Sequence, residues 1–455
     1  METMSAREAA FRILSAYRRG KARPGASLDR LISESGMPAV DAALTTRLVY
    51  GILQNLAYCD YIAAHYSSMN LKKLEPGVLD ILRISIYQIA FLTKIPHSAI
   101  VNESVALAKK HSNPRAAGFV NAVLRSMTAG GLPEISADNE SQYLSIKYSH
   151  PEWLVRELCA ALGRSSAEAF LAMNNEPAAP VTAQVNVLRS NTEAALRALA
   201  TDGVAAAGHE WLDDCVELHS PGGIGRLSAI KEGLIYIQDA ASRLAVEAAR
   251  PEQGNFVIDG CSAPGGKSFT SAIMMRNEGA VSAFDLSARK LRTVSEGAER
   301  LGIDIISVSE KDAAAPDIEF AGKADVVLAD VPCSGFGVIR KKPEIRYKTQ
   351  DEISGLPDLQ ERILTGLSKY VRPGGTLLYS TCSIFRRENE DVVDSYLEKN
   401  RDFSLEGFSL PGVGEAPGGM ITLWPHIHGT DGFFICKLKR EYYSRVAQIQ
   451  PETGA

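Results

Sequence analysis

No two cysteines in this chain stand in a C-x-x-C spacing, and their total of seven is odd. That pattern argues against a disulfide framework and against a zinc site, and it leaves reduced thiols available for chemistry. No run of about 18 uncharged apolar residues, the length needed to cross a membrane as a helix, occurs anywhere. The start, Met-Glu-Thr-Met-Ser-Ala-Arg-Glu, lacks the basic-then-apolar order of a secretory signal. A basic surplus is missing too: 49 Lys and Arg face 54 Asp and Glu, for a formal net charge of −5. These absences lead us to expect a soluble cytoplasmic monomer with no membrane or metal partner. They also withhold the bulk positive charge that many nucleic-acid binders carry. The 455 residues suffice for two or three domains with sizeable cores.

The most informative stretch is Phe256-Val-Ile-Asp-Gly-Cys-Ser-Ala-Pro-Gly-Gly-Lys-Ser268. Three apolar residues ending in Asp259 suit a parallel strand, Gly265 and Gly266 let backbone approach a ligand, and residues 267–276 can start a helix. Such a turn holds a nucleotide in many α/β proteins. It is neither of the two commonest versions: a P-loop needs Gly where Cys261 stands, and the G-x-G-x-x-G spacing is absent. Two further apolar runs end in Asp330-Val-Pro-Cys-Ser-Gly335 and Ser380-Thr-Cys-Ser383.

These three motifs, in this order, resemble those of the Fmu/Sun family of RNA 5-methylcytosine methyltransferases, across roughly the last half of the chain. The resemblance implies S-adenosylmethionine as cofactor, with Cys261, Ser262, Ala263, Pro264, Gly265, Gly266 and Lys267 lining it. It further implies that Asp285 holds the ribose, Asp312 reaches the adenine edge and Asp330 completes the methionine-side wall. The position of Asp285, about 20 residues after the glycine turn, independently suits an acidic partner for ribose hydroxyls. For each aspartate alone, a helix cap or turn is the commoner role. The wording departs from the family's in small ways: Gly260 and Ser262 replace residues commonly Ala, Ser268 a common Thr, and Val331 a common Ala.

Carbon 5 of cytosine is a poor nucleophile in the intact ring, so methylating it requires a temporary adduct at carbon 6, which a thiolate can supply. Cys333 and Cys382 each follow an apolar run and should be presented at the ligand edge, whereas Cys59, Cys159, Cys215 and Cys436 read as small core residues. By resemblance Cys382 is the nucleophile and Cys333 assists removal of the carbon-5 proton. Asp330, with Lys267 beside it, is the candidate to contact the base near ring nitrogen 3. The base must leave its stack to reach such a pocket. An amino-group methyltransferase would carry an Asp/Asn-Pro-Pro-Tyr/Phe motif, and Asp-Val-Pro-Cys puts a thiol there instead.

Along the chain, residues 1–130 read as an all-helical domain of about six helices, with apolar residues at helical spacing such as Leu44, Leu48 and Ile52. Asn113-Pro114 and similar pairs punctuate it. Segments 41–66 and 118–125 resemble the NusB-like domain found in some members of the family, and a bundle serving only packing is the plainer alternative. Residues 131–232 read as a linker, with a polar stretch at 136–142, and then a small α+β unit. In that unit 153–173 is helical, Pro177-Ala-Ala-Pro180 breaks the helix, 181–188 alternates as a strand, 192–201 is a helix and 216–218 a strand. It resembles an RNA-recognition-like insertion, although no aromatic RNA-binding signature is visible. From 233 to 440 strands alternate with helices, the pattern of a Rossmann-like doubly wound α/β sheet. Its candidate strands are 256–259, 280–285, 304–308, 326–330, 376–380 and 432–437, followed by a polar tail at 441–455.

Basic clusters at Arg18, Arg19, Lys21 and Arg23, at Lys72 and Lys73, at Arg340, Lys341, Lys342, Arg346 and Lys348, and at Arg386 and Arg387 are ordinarily solvated surface. The last two flank the cysteine motifs, which suggests phosphate contact. The partner implied by resemblance is RNA, small-subunit ribosomal RNA in particular because the helical domain accompanies it. Transfer RNA, or a vestigial catalytic half in an RNA-binding antitermination factor, remains open.

Overall fold

The computed structural model describes residues 4–20, 23–177, 179–219 and 221–442. Lys21 of the first basic cluster, Ala178 of the Pro177 to Pro180 break and the tail from 443 onward lie outside them. The chain divides into two compact units, one of residues 1–177 with 342–347 and one of residues 178–341 with 348–455.

Among the described residues of the first unit, the expected six or so helices up to Gly130 are seven α-helices, because 41–66 is broken. Asn55 ends Ala39–Gln54, and a second helix, Leu56–Tyr66, starts at once. Asn113 behaves as its sequence suggests: its side chain accepts from the Ala116 N–H at 3.0 Å and Pro114 takes the first helical position. Leu48, Ile52, Ile62, Leu82, Val120 and Leu124 share one fully buried core. The polar stretch at 136–142 is not all linker, since Asn139 caps a helix over Glu140–Tyr148. Two more helices, Glu152–Leu162 and Arg164–Met173, divide the segment read as one and belong to this unit. Gly163, at φ 74, separates them.

Segment 342–347 also packs here, and it corrects one expectation. Arg346, read as part of a phosphate-binding cluster, is fully buried. Its Nη1 donates to the carbonyls of Gln54 (3.0 Å), Tyr148 (3.3 Å) and Ser149 (3.3 Å) and to Asn175 Oδ1 (2.8 Å), and its Nη2 donates to Asn174 O (3.2 Å). Burial pushes its pKa down to about 10. A guanidinium fully buried among helix ends is out of reach of RNA.

The second unit holds two sheets of interest. Strands β1 (Val181–Val185), β2 (Ala205–Gly208), β3 (Cys215–His219) and β4 (Ile235–Ile237) form an antiparallel sheet in the order β2-β3-β1-β4. The helix Thr192–Thr201 lies where the sequence puts it. Ile235–Ile237, a strand not among those expected, is the edge of this smaller sheet although it falls after residue 233.

The larger sheet contains β5 (Phe256–Asp259), β6 (Ala280–Asp285), β7 (Ile306–Glu310), β8 (Ala324–Asp330), β9 (Val371–Thr381), β10 (Phe403–Leu405), β13 (Met420–Leu423) and β14 (Phe433–Arg440). A separate hairpin, β11 (Phe408–Leu410) and β12 (Gly414–Ala416), precedes β13. The order β10-β14-β9-β8-β5-β6-β7 is parallel from β9 to β7 and antiparallel at β14. Both faces are covered, so successive residues enter opposite cores: Val257, Val326, Leu328 and Leu378 on one side, Ile258, Val327, Ala329 and Leu377 on the other. β7 starts later than residue 304, because Gly302 (φ 70) and Ile303 are still closing the preceding helix, with the Ile303 N–H bonded to Ala298 O.

The order reverses between β5 and β8, and ligands in such sheets sit outside the carboxyl ends at that point. Gly260 begins the turn there. A Cβ on it would stand 2.4 Å from both methyl carbons of buried Leu367, on the helix Leu356–Ser368, which accounts for Gly where the family commonly has Ala. Gly260→Ala is therefore expected to lose about 1–3 kcal/mol by overpacking, and Leu367→Val in that background to recover part of it. Urea unfolding of the two variants and wild type measures both changes.

Candidate active site

Three loops converge at the carboxyl edge of the larger sheet. The first follows β5: Gly265 adopts φ 111, the Ser262 N–H bonds Phe284 O of β6 at 2.8 Å, and Gly266–Met274 starts as a helix. A pocket there is lined by Cys261, Ser262, Ala263, Pro264, Gly266 and Lys267 together with Asp330. All but Gly265 of the residues expected to line the turn are in that wall. Asp285 and Asp312 are not; they stand farther along the same edge, after β6 and β7. Asp285 accepts from the Ser287 N–H (3.0 Å) and lies 3.6 Å from Lys290 Nζ, and Asp312 accepts from the Ala314 N–H (2.9 Å) in a local turn.

The same pocket contains residues that the motifs did not single out for binding: Gln238, Asp239, Ser242 and Asp259. Asp259 is buried, and its Oδ2 accepts from Ser268 Oγ at 2.6 Å while its Oδ1 has no hydrogen-bond partner among the described residues. Burial pushes its pKa up to about 6. The Ser262 hydroxyl is likewise buried and unpartnered. The available signal was the strand-ending acid in Phe-Val-Ile-Asp, which reads equally well as a strand terminus.

The second and third loops carry the thiols. Asp330 pairs with Ser380 in the parallel register of β8 and β9, so the chains after them leave the sheet side by side. Cys333 Sγ and Cys382 Sγ come to 3.1 Å. Lys267 Nζ sits 2.7 Å from Asp330 Oδ2 and donates to Ser242 Oγ at 2.9 Å, while Asp330 Oδ1 accepts from Ser380 Oγ at 2.8 Å. Glycine turn, cation, carboxylate and two thiols thus share one edge.

The two thiols are driven apart in acidity. The hydrogen bond from Cys333 stabilises a Cys382 thiolate and holds the Cys382 pKa below the ordinary thiol value, with Lys267 helping against burial and Asp330. Cys333 is pushed well up, first by that same bond, then by burial and by the charges of Cys382, Glu388 and Asp330. Of the cysteines read as packing, Cys59, Cys215 and Cys436 are buried and Cys159 is only half-buried. Burial raises the thiols of Cys59, Cys215 and Cys436, that of Cys215 to about 12.

Four of the other basic residues flanking these loops, Lys341, Lys348, Arg386 and Arg387, have partners within the protein. Lys341 pairs with Asp239 and Asp431, and Lys348 Nζ donates to Ser334 O at 2.6 Å. Arg386 pairs with Asp391 (2.7 Å) and Asp394 (3.3 Å), and Arg387 stacks 4.0 Å from the Phe385 ring centre. Neighbouring carboxylates and a ring offer these cations partners that the linear sequence leaves unseen.

Comparison with known proteins agrees with this layout. Residues 246–439 match the family model for the 16S rRNA methyltransferase RsmB/F, residues 4–129 the NusB family and residues 150–225 the RsmF/B-like ferredoxin-like domain. The probable ribosomal RNA small subunit methyltransferase B of Bacillus subtilis (strain 168) is 35% identical, over 97% of this chain and 100% of its own. The chain belongs to the ribosomal RNA small subunit methyltransferase B family. The Erwinia tasmaniensis ribosomal RNA small subunit methyltransferase B is 32% identical over 88% of this chain and 91% of its own. Among solved structures, that of PH0851 is 28% identical with a TM-score of 0.80, covering 96% of this chain and 99% of its own. Family membership and the Rossmann-like sheet with a NusB domain are as the motifs implied. No helix of the described residues is long and apolar enough to cross a membrane.

The acidity split yields an order of reaction. In the folded protein near neutral pH, iodoacetamide is expected to label Cys382 first and Cys333 only at higher pH, with Cys59, Cys215 and Cys436 protected until unfolding. Peptide mass mapping over time and pH reads the order, and earlier labelling of Cys333 would contradict it.

Proposed function

We propose that this protein methylates carbon 5 of a cytosine in small-subunit ribosomal RNA, using S-adenosylmethionine. The observation that carries the reading is the pair of thiols shifted in opposite directions, 3.1 Å apart at the edge that also carries the glycine turn after β5. Family membership supports ribosomal RNA as the substrate.

The pocket after β5 fits the cofactor on its own terms. Asp259 Oδ1, buried without a partner, would hold the ammonium of the methionine part, and the wall from Cys261 to Lys267 would surround it. Asp285 would take the ribose hydroxyls and Asp312 the adenine edge. When bound, S-adenosylmethionine supplies an electrophilic methyl group. Every other requirement falls to the chain's own residues. Cys382, the more acidic thiol, adds to carbon 6 and so makes carbon 5 nucleophilic. Lys267 and Asp330, paired at 2.7 Å, would contact the base edge where charge develops. Cys333, which begins protonated, gives its proton to the ring as charge develops there on addition of Cys382; its thiolate then takes the carbon-5 proton, and the Cys382–carbon bond breaks with its electron pair returning to sulfur, restoring the ring.

Two variants should behave oppositely. Cys382→Ala is expected to abolish methylation and to form no covalent complex even with RNA containing 5-fluorocytosine. Cys333→Ala is expected to accumulate a covalent protein–RNA species with ordinary cytosine, because the methylated adduct cannot collapse. Denaturing gels with labelled RNA separate the cases. Adducts through Cys333 in the Cys382 variant would reverse the roles, and full activity in both variants would end the two-thiol reading.

Cofactor affinity should carry the signature of Asp259. Ionised above about pH 6, it attracts an ammonium, and protonated below that it does not, so affinity should fall as pH drops from 7.5 to 5. Asp259→Asn should lose about 1.5–3 kcal/mol of binding at pH 7.5 and flatten the dependence. Calorimetric titration measures both, and an unchanged profile would remove Asp259 from the site.

A further inference from the structure

Beneath the two thiols lies a second pairing that repeats them. Each cysteine is followed by a serine, and Ser334 Oγ and Ser383 Oγ stand 3.1 Å apart, the same separation as the sulfurs above them. Both serines are fully buried, and so is the side chain that joins them, Glu388. Its Oε2 accepts from the Ser334 backbone N–H at 2.8 Å and from Gln360 Nε2 at 3.0 Å, and its Oε1 accepts from Ser383 Oγ at 2.7 Å. Gln360 also donates to Pro332 O at 3.0 Å, on the other side of Cys333.

Glu388 is itself held. The Tyr379 hydroxyl donates to its carbonyl at 2.6 Å, its N–H bonds Phe385 O, and Asn389 ties Thr381 (2.6 Å) to Ser383 O (3.0 Å) on either side of Cys382. A buried carboxylate is costly to keep dry and is stable here because three donors converge on it. Those donors come from both cysteine loops and from the helix Leu356–Ser368 behind them.

We propose that Glu388 is a positioning residue whose carboxylate clamps the Ser334 and Ser383 loops together and thereby sets the distance between the Cys333 and Cys382 thiols. The proposal rests on the two-thiol reaction for its catalytic consequence, but the clamp itself can be measured without RNA or cofactor. Its charge also bears on Cys333, where it helps keep the proton on sulfur.

Phenylarsine oxide reads the distance directly. Its arsenic forms one bond to each of two adjacent sulfurs, and the two thiol protons leave with the oxide oxygen as water, with no change of oxidation state. The full-length wild type should bind one equivalent tightly, and Cys333→Ser or Cys382→Ser should abolish that tight binding. Glu388→Ala should weaken it by about tenfold or more and lower kcat for methylation by about 10- to 100-fold, with KM for S-adenosylmethionine nearly unchanged. Glu388→Gln should recover most of both, since an amide oxygen can take the position that accepts from Ser334 and Gln360. Ser383→Ala, which cuts the clamp on the Cys382 side only, should fall between.

Wild-type arsenical affinity in Glu388→Ala would overturn the proposal, as would a Gln variant no better than Ala. If Glu388→Ala does not fold by circular dichroism, Ser383→Ala decides: unchanged affinity and kcat there would overturn it equally. A wild type that binds the arsenical through both thiols yet transfers no methyl group to cytosine would instead overturn the reaction assigned above and leave the clamp standing.

Discussion

Everything at the site depends on the parallel pairing of β8 with β9. Asp330 opposite Ser380 brings two stretches about 50 residues apart to the same height on one edge, and the cysteines follow two and three residues later. A slip of one residue would move every side chain of a strand to the opposite face. Here that would carry Val327 and Ala329 out of one core and Val326 and Leu328 out of the other. The register is thus fixed by burial on both faces, and the thiol separation inherits that precision.

The electrostatics of the edge follow from what that pairing crowds together. Lys267, Asp330 and two thiols lie within hydrogen-bonding reach of one another in pairs, so each proton position acts on its neighbours. A hydrogen bond between the sulfurs lowers the pKa of Cys382 and raises that of Cys333, an asymmetry that two isolated cysteines would not have. Asp259 shows the complementary effect: a carboxylate with one unpartnered oxygen is tolerable where a cationic ligand can complete it.

The helical unit applies the same economy with a different residue. Arg346 closes the ends of several helices through carbonyl contacts that an apolar side chain could not satisfy. Together with the paired Lys341 and Arg386, it shows why counting basic residues near a motif overstates the free positive surface.

The sequence by itself determined the family, the Rossmann-like class and most of the wall of the pocket after β5, because those depend on local chemistry: a glycine turn after a strand, a thiol after a strand, an acid ending a strand. Helix and strand existence was also legible, since periodicity is a local property, whereas boundaries at Asn55, Gly163 and Gly302 turned on backbone conformations that composition leaves open. Only the tertiary structure decided which charges are free. Arg346 and Lys341 look like their exposed neighbours in one dimension, and their partners lie far along the chain. Glu388 was invisible for the same reason: its role comes from Ser334, Gln360 and Ser383, which meet only when β8 and β9 pair and the helix before β9 packs behind them.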